Sequence, residues 1–238
     1  MCGRGTAGIY CALSNTTTFG SPFLWTSQFN NADGWTADWY WQTINWGDLN
    51  GDGKADVCGR GIGGVICATS TGLRFNTSSL WTTQFSDASG WQQAQYYSTI
   101  RLADINGDGK ADVCGRGGGG VYCAISTGSS FVGGFTLAAY EFSDVGGWNL
   151  DRLNRSMAYV DVNHDGNADI CSRTYDGIYC ALSRSKDTTL SFSSTVKVVD
   201  NFGDNYGWGS NEEYWATVQA VGTRFCGRGG GGILCSAQ

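Results

Sequence analysis

The sequence Cys58-Gly-Arg-Gly-Ile-Gly-Gly-Val-Ile-Cys67 returns, with small changes, five times along the chain. The copies read Cys-Gly-Arg-Gly-x-x-Gly-hydrophobic-x-Cys, with Cys-Ser-Arg in the fourth, and their first cysteines lie 56, 56, 57 and 55 residues apart. A fixed period of this size indicates a repeat protein. We therefore predict that residues 1–238 form a single domain built of repeats of about 56 residues, and that any function is repeated with them.

All ten cysteines belong to these copies, two in each and nine residues apart. Two strands joined by a short glycine turn place opposed residues within disulfide reach. Zinc binding is the alternative, although the C-x-x-C spacing and the histidines of zinc sites are missing. The predicted bridges join Cys2 with Cys11, Cys58 with Cys67, Cys114 with Cys123, Cys171 with Cys180, and Cys226 with Cys235.

Five disulfides indicate an oxidising compartment, so we expect a secreted or extracellular protein. Because the first hairpin follows Met1 directly, we also expect that a natural secretion signal has been removed. Three N-x-[ST] sequons, at Asn15, Asn76 and Asn154, are compatible with secretion. No apolar run approaches the roughly 20 residues of a membrane helix, so no membrane insertion is expected.

A second motif, Phe-x-[Asp/Asn]-x-x-Gly-Trp, lies between the hairpins. The stretches before and after it, such as residues 23–29 and 41–46, alternate between apolar and polar residues and predict half-buried strands. No stretch has a sustained helical period. The fold class is therefore predicted to be all-β, and the motif itself occupies residues 29–35, 85–91, 142–148 and 202–208.

Each period holds four predicted strands: one runs into an acidic loop, two form the hairpin, and one ends at the Phe of the second motif. Four-stranded units of this length, arranged radially, are the blades of a β-propeller. Residues 1 to about 30 supply strands two to four of a blade, and residues 212–238 supply strands one to three. We predict about five blades in one ring, three complete and two partial. The alternative is a homo-oligomer in which chains share strands through the incomplete terminal blades.

Three acidic loops of nine residues follow the pattern Asp-x-Asn-x-Asp-Gly-x-Ala-Asp. Alternate oxygen side chains, a glycine that allows a sharp turn and a closing carboxylate suit a hard cation, much as in the first half of an EF-hand loop. The alternative is a set of turns that happen to be acidic. The corresponding stretch of the last period, residues 220–225, lacks the acids, so three calcium ions are predicted and no fourth. The predicted ligands are Asp48, Asn50, Asp52, Lys54 (through its carbonyl) and Asp56; Asp104, Asn106, Asp108, Lys110 and Asp112; and Asp161, Asn163, Asp165, Asn167 and Asp169.

The charge supports this prediction. Three divalent ions would offset the formal net charge of -6. Only four lysines are present, and the eleven arginines form no continuous stripe, so no nucleic-acid partner is expected.

The acidic pattern, followed by a strand, a glycine turn and a second strand, resembles the FG-GAP or VCBS repeat of integrin-type propellers and secreted microbial proteins. The period and the Phe-x-Asp-x-x-Gly-Trp element look most like the PVL-type fungal lectins. Those propellers bind N-acetylglucosamine between blades and calcium in these loops. The resemblance implies a calcium-binding lectin whose partners are glycans or glycoproteins.

One arginine and one tryptophan recur at fixed places in the repeat. An indole face can pack on a pyranose while arginine donors and carboxylates such as Asp87 or Asp144 bind its hydroxyls. The alternative is that each Trp is a wedge between blades and that each Arg stacks on it or pairs with a carboxylate. The predicted carbohydrate-binding residues are Arg4, Arg60, Arg116, Arg173, Arg228, Trp35, Trp91, Trp148 and Trp208.

Two other classes of function stay open. One is a calcium-dependent structural or protein-adhesion module of a larger secreted protein. The other is a glycosidase, which needs two carboxyl groups at a defined separation. The single histidine, His164, lies inside an acidic loop, so a histidine-based triad has no support. We therefore expect a binding protein and not an enzyme.

Overall fold

A computed structural model of the protein describes residues 1–236, with the backbone alone at residues 134, 135 and 151. Over this range the chain forms five antiparallel sheets, and the predicted all-β propeller of five blades is confirmed. In the same range three sheets have four strands and the two terminal sheets have three, as the spacing of the motifs predicts.

The strands follow one another in sequence order within each blade. The first blade contains β1 (Cys2–Gly5), β2 (Gly8–Cys11) and β3 (Phe23–Thr26). The second contains β4 (Asn45–Gly47), β5 (Asp56–Gly61), β6 (Gly64–Ala68) and β7 (Ser79–Thr82). The third contains β8 (Arg101–Ala103), β9 (Asp112–Gly117), β10 (Gly120–Ser126) and β11 (Phe131–Ala139). The fourth contains β12 (Ala158–Val160), β13 (Asp169–Arg173), β14 (Ile178–Ser183) and β15 (Phe192–Val199), and the fifth contains β16 (Gln219–Val221), β17 (Arg224–Gly229) and β18 (Gly232–Cys235).

Short helical turns lie in the loops that connect one blade to the next. Four are α-helical: α1 (Asp38–Trp41), α2 (Ala94–Tyr97), α3 (Asp151–Asn154) and α4 (Glu212–Trp215). The 3₁₀ turns are Asp87–Ser89, Tyr140–Phe142 and Asp204–Tyr206.

The strand predicted for residues 41–46 is wrong over its first part. Trp41 belongs to α1, and strand pairing starts only at Asn45, opposite Cys58. The hydroxyl of Thr43 explains the difference, because it donates to the carbonyl of Tyr40 at 2.7 Å and accepts the backbone N–H of Arg60 at 2.8 Å. The helical turn is therefore fixed by a hydrogen bond from Arg60 in the hairpin of the same blade. The alternation of apolar and polar residues in the sequence does not reveal such a bond.

The five predicted disulfides are confirmed, and the described residues contain no free cysteine. In the second blade Cys58 and Cys67 are direct register partners of β5 and β6, with Cα atoms 4.1 Å apart. The turn that joins them needs glycine at Gly64, which has a φ of 133° and whose Cβ would clash with the carbonyl oxygen of Thr82. Each bridge closes only a short loop, so on the chain-entropy model it contributes somewhat under about 3 kcal/mol.

The apolar core lies between successive blades. Leu49 and Val65 of the second blade pack in one cluster with Val113 and Phe131 of the third. The first strands β4, β8, β12 and β16 lie side by side and form the innermost layer. Large repeated clusters of this kind stabilise each blade against its neighbours.

None of the helices among the described residues has the length and apolar character needed to span a bilayer.

Candidate functional site

The first carboxylate of each acidic loop organises the turn that follows it. Asp48 Oδ1 accepts the N–H of Gly51 at 2.8 Å, and its Oδ2 accepts that of Gly53 at 2.7 Å. The same bonds recur at Asp104, and Asp161 accepts the N–H of Gly166 at 2.9 Å. The loops are thus held in one curved conformation by their own backbone.

The ninth residue of each loop, an aspartate, is fully buried at the start of the second strand of its blade. Asp56 Oδ2 accepts the N–H of Leu49 at 2.9 Å, and its Oδ1 accepts that of Ser70 at 2.6 Å. Desolvation raises the pKa of Asp56, against the lowering effect of these two N–H donors. In the second loop the same burial raises the pKa of Asp112 to about 7.

The loops also connect neighbouring blades. The N–H of Ala111 donates to the carbonyl of Asp48 at 2.6 Å, and the hydroxyl of Ser126 donates to that of Leu49 at 2.7 Å. The N–H of Ala168 donates in the same way to Asp104 at 2.7 Å. Any ligand that stiffens one loop therefore acts on the next blade.

The donor chemistry of these loops fits calcium. Each loop offers carboxylate, amide and carbonyl oxygens, and the first aspartate is oriented by the glycine at position six. Within the described residues, no group of three or more His, Cys, Asp or Glu side chains converges into a metal-type cluster. The ammonium group of Lys54 lies 2.9 Å from Asp52 Oδ2. The calcium assignment stays a prediction.

The hairpin arginines hold the loop of the second motif. Arg60 is fully buried: its Nε donates to the carbonyl of Phe85 at 2.5 Å, and its Nη2 donates to the carboxylate of Asp87. Arg116 makes the same pair of bonds to Phe142 and Asp144.

The first, fourth and fifth blades vary this arrangement. In the first blade Arg4 bonds to the carbonyl of Phe29 and to the side chain of Asn31, which stands in the position of Asp87. In the fourth blade Arg173 is fully buried and bonds to Asp204. In the last hairpin Arg228 instead forms an exposed ion pair with Glu213 at 3.1 Å.

The arginine stabilises an unfavourable backbone. Phe29, Phe85 and Phe202 have φ values of 60°, 60° and 68°, a region that costs L residues about 1–2 kcal/mol. The hydrogen bond from Nε to the phenylalanine carbonyl fixes this conformation at Phe29 and Phe85.

The repeated tryptophans pack against the next blade. The ring of Trp35 lies 4.7 Å from that of Phe29, and a Cβ on Gly59 of the next blade would lie 2.6 Å from the indole. Trp91 makes the equivalent contacts with Phe85 and Gly115, and Trp208 makes them with Phe202 and Gly227. The four predicted tryptophans, Trp35, Trp91, Trp148 and Trp208, are all buried.

The structure thus places the four tryptophans and three of the arginines in the packing arrangement that the sequence left open, whereas Arg4 is half-buried and Arg228 is exposed. Arg60, Arg116 and Arg173 expose no side-chain surface, so they present no donor to solvent. The buried indoles offer no face of the size that a pyranose would cover. The groups that do reach solvent nearby are the carboxylates that the arginines hold.

Two of these carboxylates also bind a tyrosine. The Tyr40 hydroxyl donates to Asp87 Oδ2 at 2.6 Å, and the Tyr96 hydroxyl donates to Asp144 Oδ2 at 2.7 Å. We call these two places the Tyr–Asp clefts; each lies where the loop entering a blade meets the loop leaving it. The Asp87 side chain is 17% exposed and that of Asp144 is 31% exposed.

The electrostatics of the Tyr–Asp clefts keep the tyrosines as donors. Burial, and then the hydrogen bond to the carboxylate, raises the pKa of Tyr40 and that of Tyr96. The guanidinium of Arg60 also lies 5.3 Å from the centre of the Tyr40 ring, a cation–π distance. The aspartate is thus fixed by two donors while one side stays open to solvent.

The blades differ at this position. Trp39, next to Tyr40, is 37% exposed, and its ring lies 6.0 Å from that of Tyr40. Gln95 stands in the same place beside Tyr96. In the fourth blade Leu153 replaces the tyrosine, and Arg152 Nε donates to Asp204 Oδ2 at 2.9 Å.

Sequence reasoning named Asp87 and Asp144 but missed Trp39. Its only signal in the sequence is that it adds a third aromatic residue to the run Trp39-Tyr-Trp41.

Comparisons with known proteins agree with the propeller fold. Residues 104–172 match the family model described as FG-GAP-like repeat, so the chain is a β-propeller that carries an FG-GAP-like repeat. The resemblance predicted from the acidic loops is confirmed. No curated protein sequence matches this chain significantly.

Among solved structures, 41 chains match. One is the structure of an Agrocybe aegerita lectin described as specifically recognising non-reducing terminal N-acetylglucosamine. It is 24% identical, with a TM-score of 0.79 over 99% of this chain and 58% of the lectin chain. This likeness establishes the fold, and the protein spans little more than half of the lectin's length. A second match, to the Photorhabdus luminescens Tc holotoxin pore, is 16% identical with a TM-score of 0.39 over 66% of this chain and 7% of that one.

Proposed function

We propose that this protein is an extracellular carbohydrate-binding protein whose Tyr–Asp clefts hold the sugar and whose three acidic loops bind calcium. In this proposal the protein binds its glycan without transforming it. The observation that carries the proposal is a partly exposed carboxylate, Asp87, fixed by a buried guanidinium and a tyrosine hydroxyl beside an exposed indole.

The carboxylate of Asp87 is suited to accept sugar hydroxyls. An ionised carboxylate has about four lone-pair sites, and Arg60 and Tyr40 each occupy one. The Asp87 side chain is 17% exposed, and the ion pair with Arg60 holds it in one orientation. Hydrogen bonds to a charged acceptor are about twice as strong as neutral ones.

Trp39 supplies the apolar surface that a pyranose needs. Its indole is exposed while its backbone carbonyl accepts a bond from Arg60 Nη1 at 3.0 Å, so the residue is anchored from behind. An aromatic face beside a fixed acceptor is the usual combination at small-molecule sites. The second cleft has Gln95 in this place, so we expect it to bind more weakly.

The roles first assigned to the repeated arginines and tryptophans change in this proposal. Arg60 and Arg116 orient the acceptor, and Trp35 and Trp91 fix the loops that carry it; none of the four touches the sugar. The lectin that shares the fold is described as recognising terminal N-acetylglucosamine, which makes this sugar the first ligand to test here.

In this proposal calcium stabilises the contacts between blades and does not contact the sugar. Each loop is preformed around its first aspartate and bonded to the next blade. A cation would neutralise carboxylates that lie close together, and would thereby stabilise the contact between blades. The five disulfides fit the same extracellular setting.

Calorimetric titration with N-acetylglucosamine tests the proposal, with Trp39→Ala and Trp46→Ala as a matched pair. Both indoles are similarly exposed, at 37% and 36%, but Trp46 lies against Phe75 at a ring distance of 6.0 Å, away from the clefts. We expect Trp39→Ala to weaken binding about tenfold or more, since an aromatic contact contributes about 0.5–1.5 kcal/mol beyond its area. Trp46→Ala should bind as the unchanged protein does. Equal binding by both variants, or no binding of any sugar on a glycan array, contradicts the proposal and favours the adhesion module.

A further inference from the structure

The centre of the propeller contains two adjoining cavities that the proposed sugar sites do not use. One, of about 370 Å³, is lined by the innermost strands β8, β12 and β16. The other, of about 410 Å³, is lined by residues of the helical turns that precede those strands. Both volumes fall within the range of roughly 300–1,000 Å³ that is typical of small-molecule sites.

Two arginines line both cavities. Arg101 is the first residue of β8, and Arg155 follows α3. Among the described residues that line these cavities there is no Asp or Glu, and the remaining polar side chains include Gln42, Ser98 and Gln219. The wall is therefore rich in hydrogen-bond donors and poor in negative charge, in a chain whose formal net charge is -6.

Arg101 differs from the residues at the same position in the other repeats. The first residues of β4, β8, β12 and β16 are Asn45, Arg101, Ala158 and Gln219. Only one of these four equivalent residues is charged, and the alanine in the neighbouring blade leaves room beside it. Packing of the blades does not require an arginine here, because the other three blades form without one.

Arg101 has no carboxylate partner among the described residues. Its guanidinium donates from Nη1 to the carbonyl of Ile100 at 2.7 Å. Burial lowers the pKa of Arg101, and the opposing electrostatic contribution comes from the Tyr159 hydroxyl alone. Tyr159 lines the same cavity, and among the described residues its hydroxyl donates to the sulfur of Met157, at 3.6 Å. Arg101 is half-buried, and a partly desolvated cation without a counter-charge is stabilised when an anion accompanies it.

Arg155 is held over the other side of the cavities. Its guanidinium lies 5.7 Å from the centre of the Trp215 ring and 3.4 Å from Glu212 Oε1. Arg155 therefore already pairs with an exposed carboxylate, and its part is to add a second guanidinium to the charge of Arg101.

We propose that the central cavity between Arg101 and Arg155 binds a small oxyanion, either a tetrahedral sulfate or phosphate or the carboxylate of an acidic sugar. The guanidinium of Arg101 bonds to two oxygens of the ligand, Arg155 adds charge, and the Tyr159 hydroxyl donates a further bond. This site is separate from the Tyr–Asp clefts, so it stands whether or not those clefts bind sugar.

Thermal unfolding and calorimetry at constant ionic strength test this site, with sulfate, phosphate and glucuronate as ligands and with chloride and glucose as matched controls. We expect saturable binding and a rise in melting temperature with at least one oxyanion. Binding of sulfate or phosphate alone identifies a tetrahedral anion as the ligand, and binding of glucuronate but not glucose identifies a carboxylate.

The variants Arg101→Gln and Arg74→Gln form the critical pair, because Arg74 is an exposed arginine outside the cavities. Arg101→Gln should weaken binding about tenfold or more, because the charge-assisted bonds to the anion are lost, and Arg74→Gln should not. Should Arg101→Gln fail to fold, Arg155→Gln provides the same test of charge, and Arg101→Lys tests the loss of the two-pronged guanidinium. Absence of a shift with every oxyanion, or equal shifts in the Arg101 and Arg74 variants, overturns the proposal.

Discussion

The indole of Trp35 lies directly against Gly59 of the next blade, so closely that a Cβ there would be 2.6 Å from the ring. This contact explains the glycine that follows the first cysteine in three of the five hairpins, at Gly59, Gly115 and Gly227. The tryptophan of one connecting loop fills the space that the absent side chain leaves on the next blade. The two repeated motifs, which look independent in the sequence, are therefore the two halves of one packing contact.

Gly59→Ala is predicted to destabilise the protein by about 1–3 kcal/mol, the usual result of overpacking a filled core. Gly63→Ala is the matched control, because a Cβ at Gly63 meets no atom within 4 Å. Urea unfolding of the two variants measures the difference. Equal stability of both would show that Trp35 does not wedge against this glycine.

Asp204→Asn is predicted to destabilise the fourth blade by about 1–3 kcal/mol. The change removes the negative charge that pairs with the fully buried Arg173 and with Arg152. Breaking a fully buried ion pair costs several kcal/mol. The cost expected here is smaller because the carboxylate of Asp204 is partly exposed. Asp176→Asn alters an exposed pair with Lys197 and keeps an amide oxygen that can accept the Thr174 and Tyr179 hydroxyls, so it should change stability by less than about 1 kcal/mol. A result in the reverse order would contradict the structural role assigned to the arginines.

Calcium is predicted to bind at three sites and to raise the melting temperature. Asp52→Ala should reduce the stoichiometry from three ions to two, because it removes an oxygen ligand whose other bonds lie within its own loop. Asp176→Asn again serves as a control for charge. If calorimetry after removal of all divalent ions finds no calcium uptake, the acidic loops are turns and the metal assignment is wrong.

Removal of the second bridge by Cys58→Ser with Cys67→Ser is predicted to lower the free energy of unfolding by no more than about 3 kcal/mol. The two residues are register partners within a paired hairpin, so the strands stay aligned without the covalent bond. Circular dichroism of the double variant should therefore retain the β signal at room temperature. Complete unfolding would show that the bridge is essential to the blade.

The repeat period made most of the fold predictable. The cysteine pairs, the order of four strands and the partial blades at both ends all follow from local spacing, because a hairpin brings together residues that are close in sequence. The acidic loops, and with them the resemblance to FG-GAP repeats, were also predictable because each loop is a run of consecutive residues.

The candidate site was harder to predict because its contacts join residues far apart in the chain. Tyr40 and Asp87 are separated by 47 residues, and Arg60 reaches Asp87 across 27. A period shows that such residues recur but not which of them face solvent. The same pattern is compatible with a sugar platform or a wedge, and only burial distinguishes Trp35 from Trp39.

A crystal structure of the protein with N-acetylglucosamine would show whether the Tyr–Asp clefts hold the sugar. We predict density for the sugar at the first Tyr–Asp cleft, with a hydroxyl bonded to Asp87 and the ring against Trp39. Sugar bound at another surface, or clefts that stay empty at concentrations where calorimetry shows saturation, would contradict it.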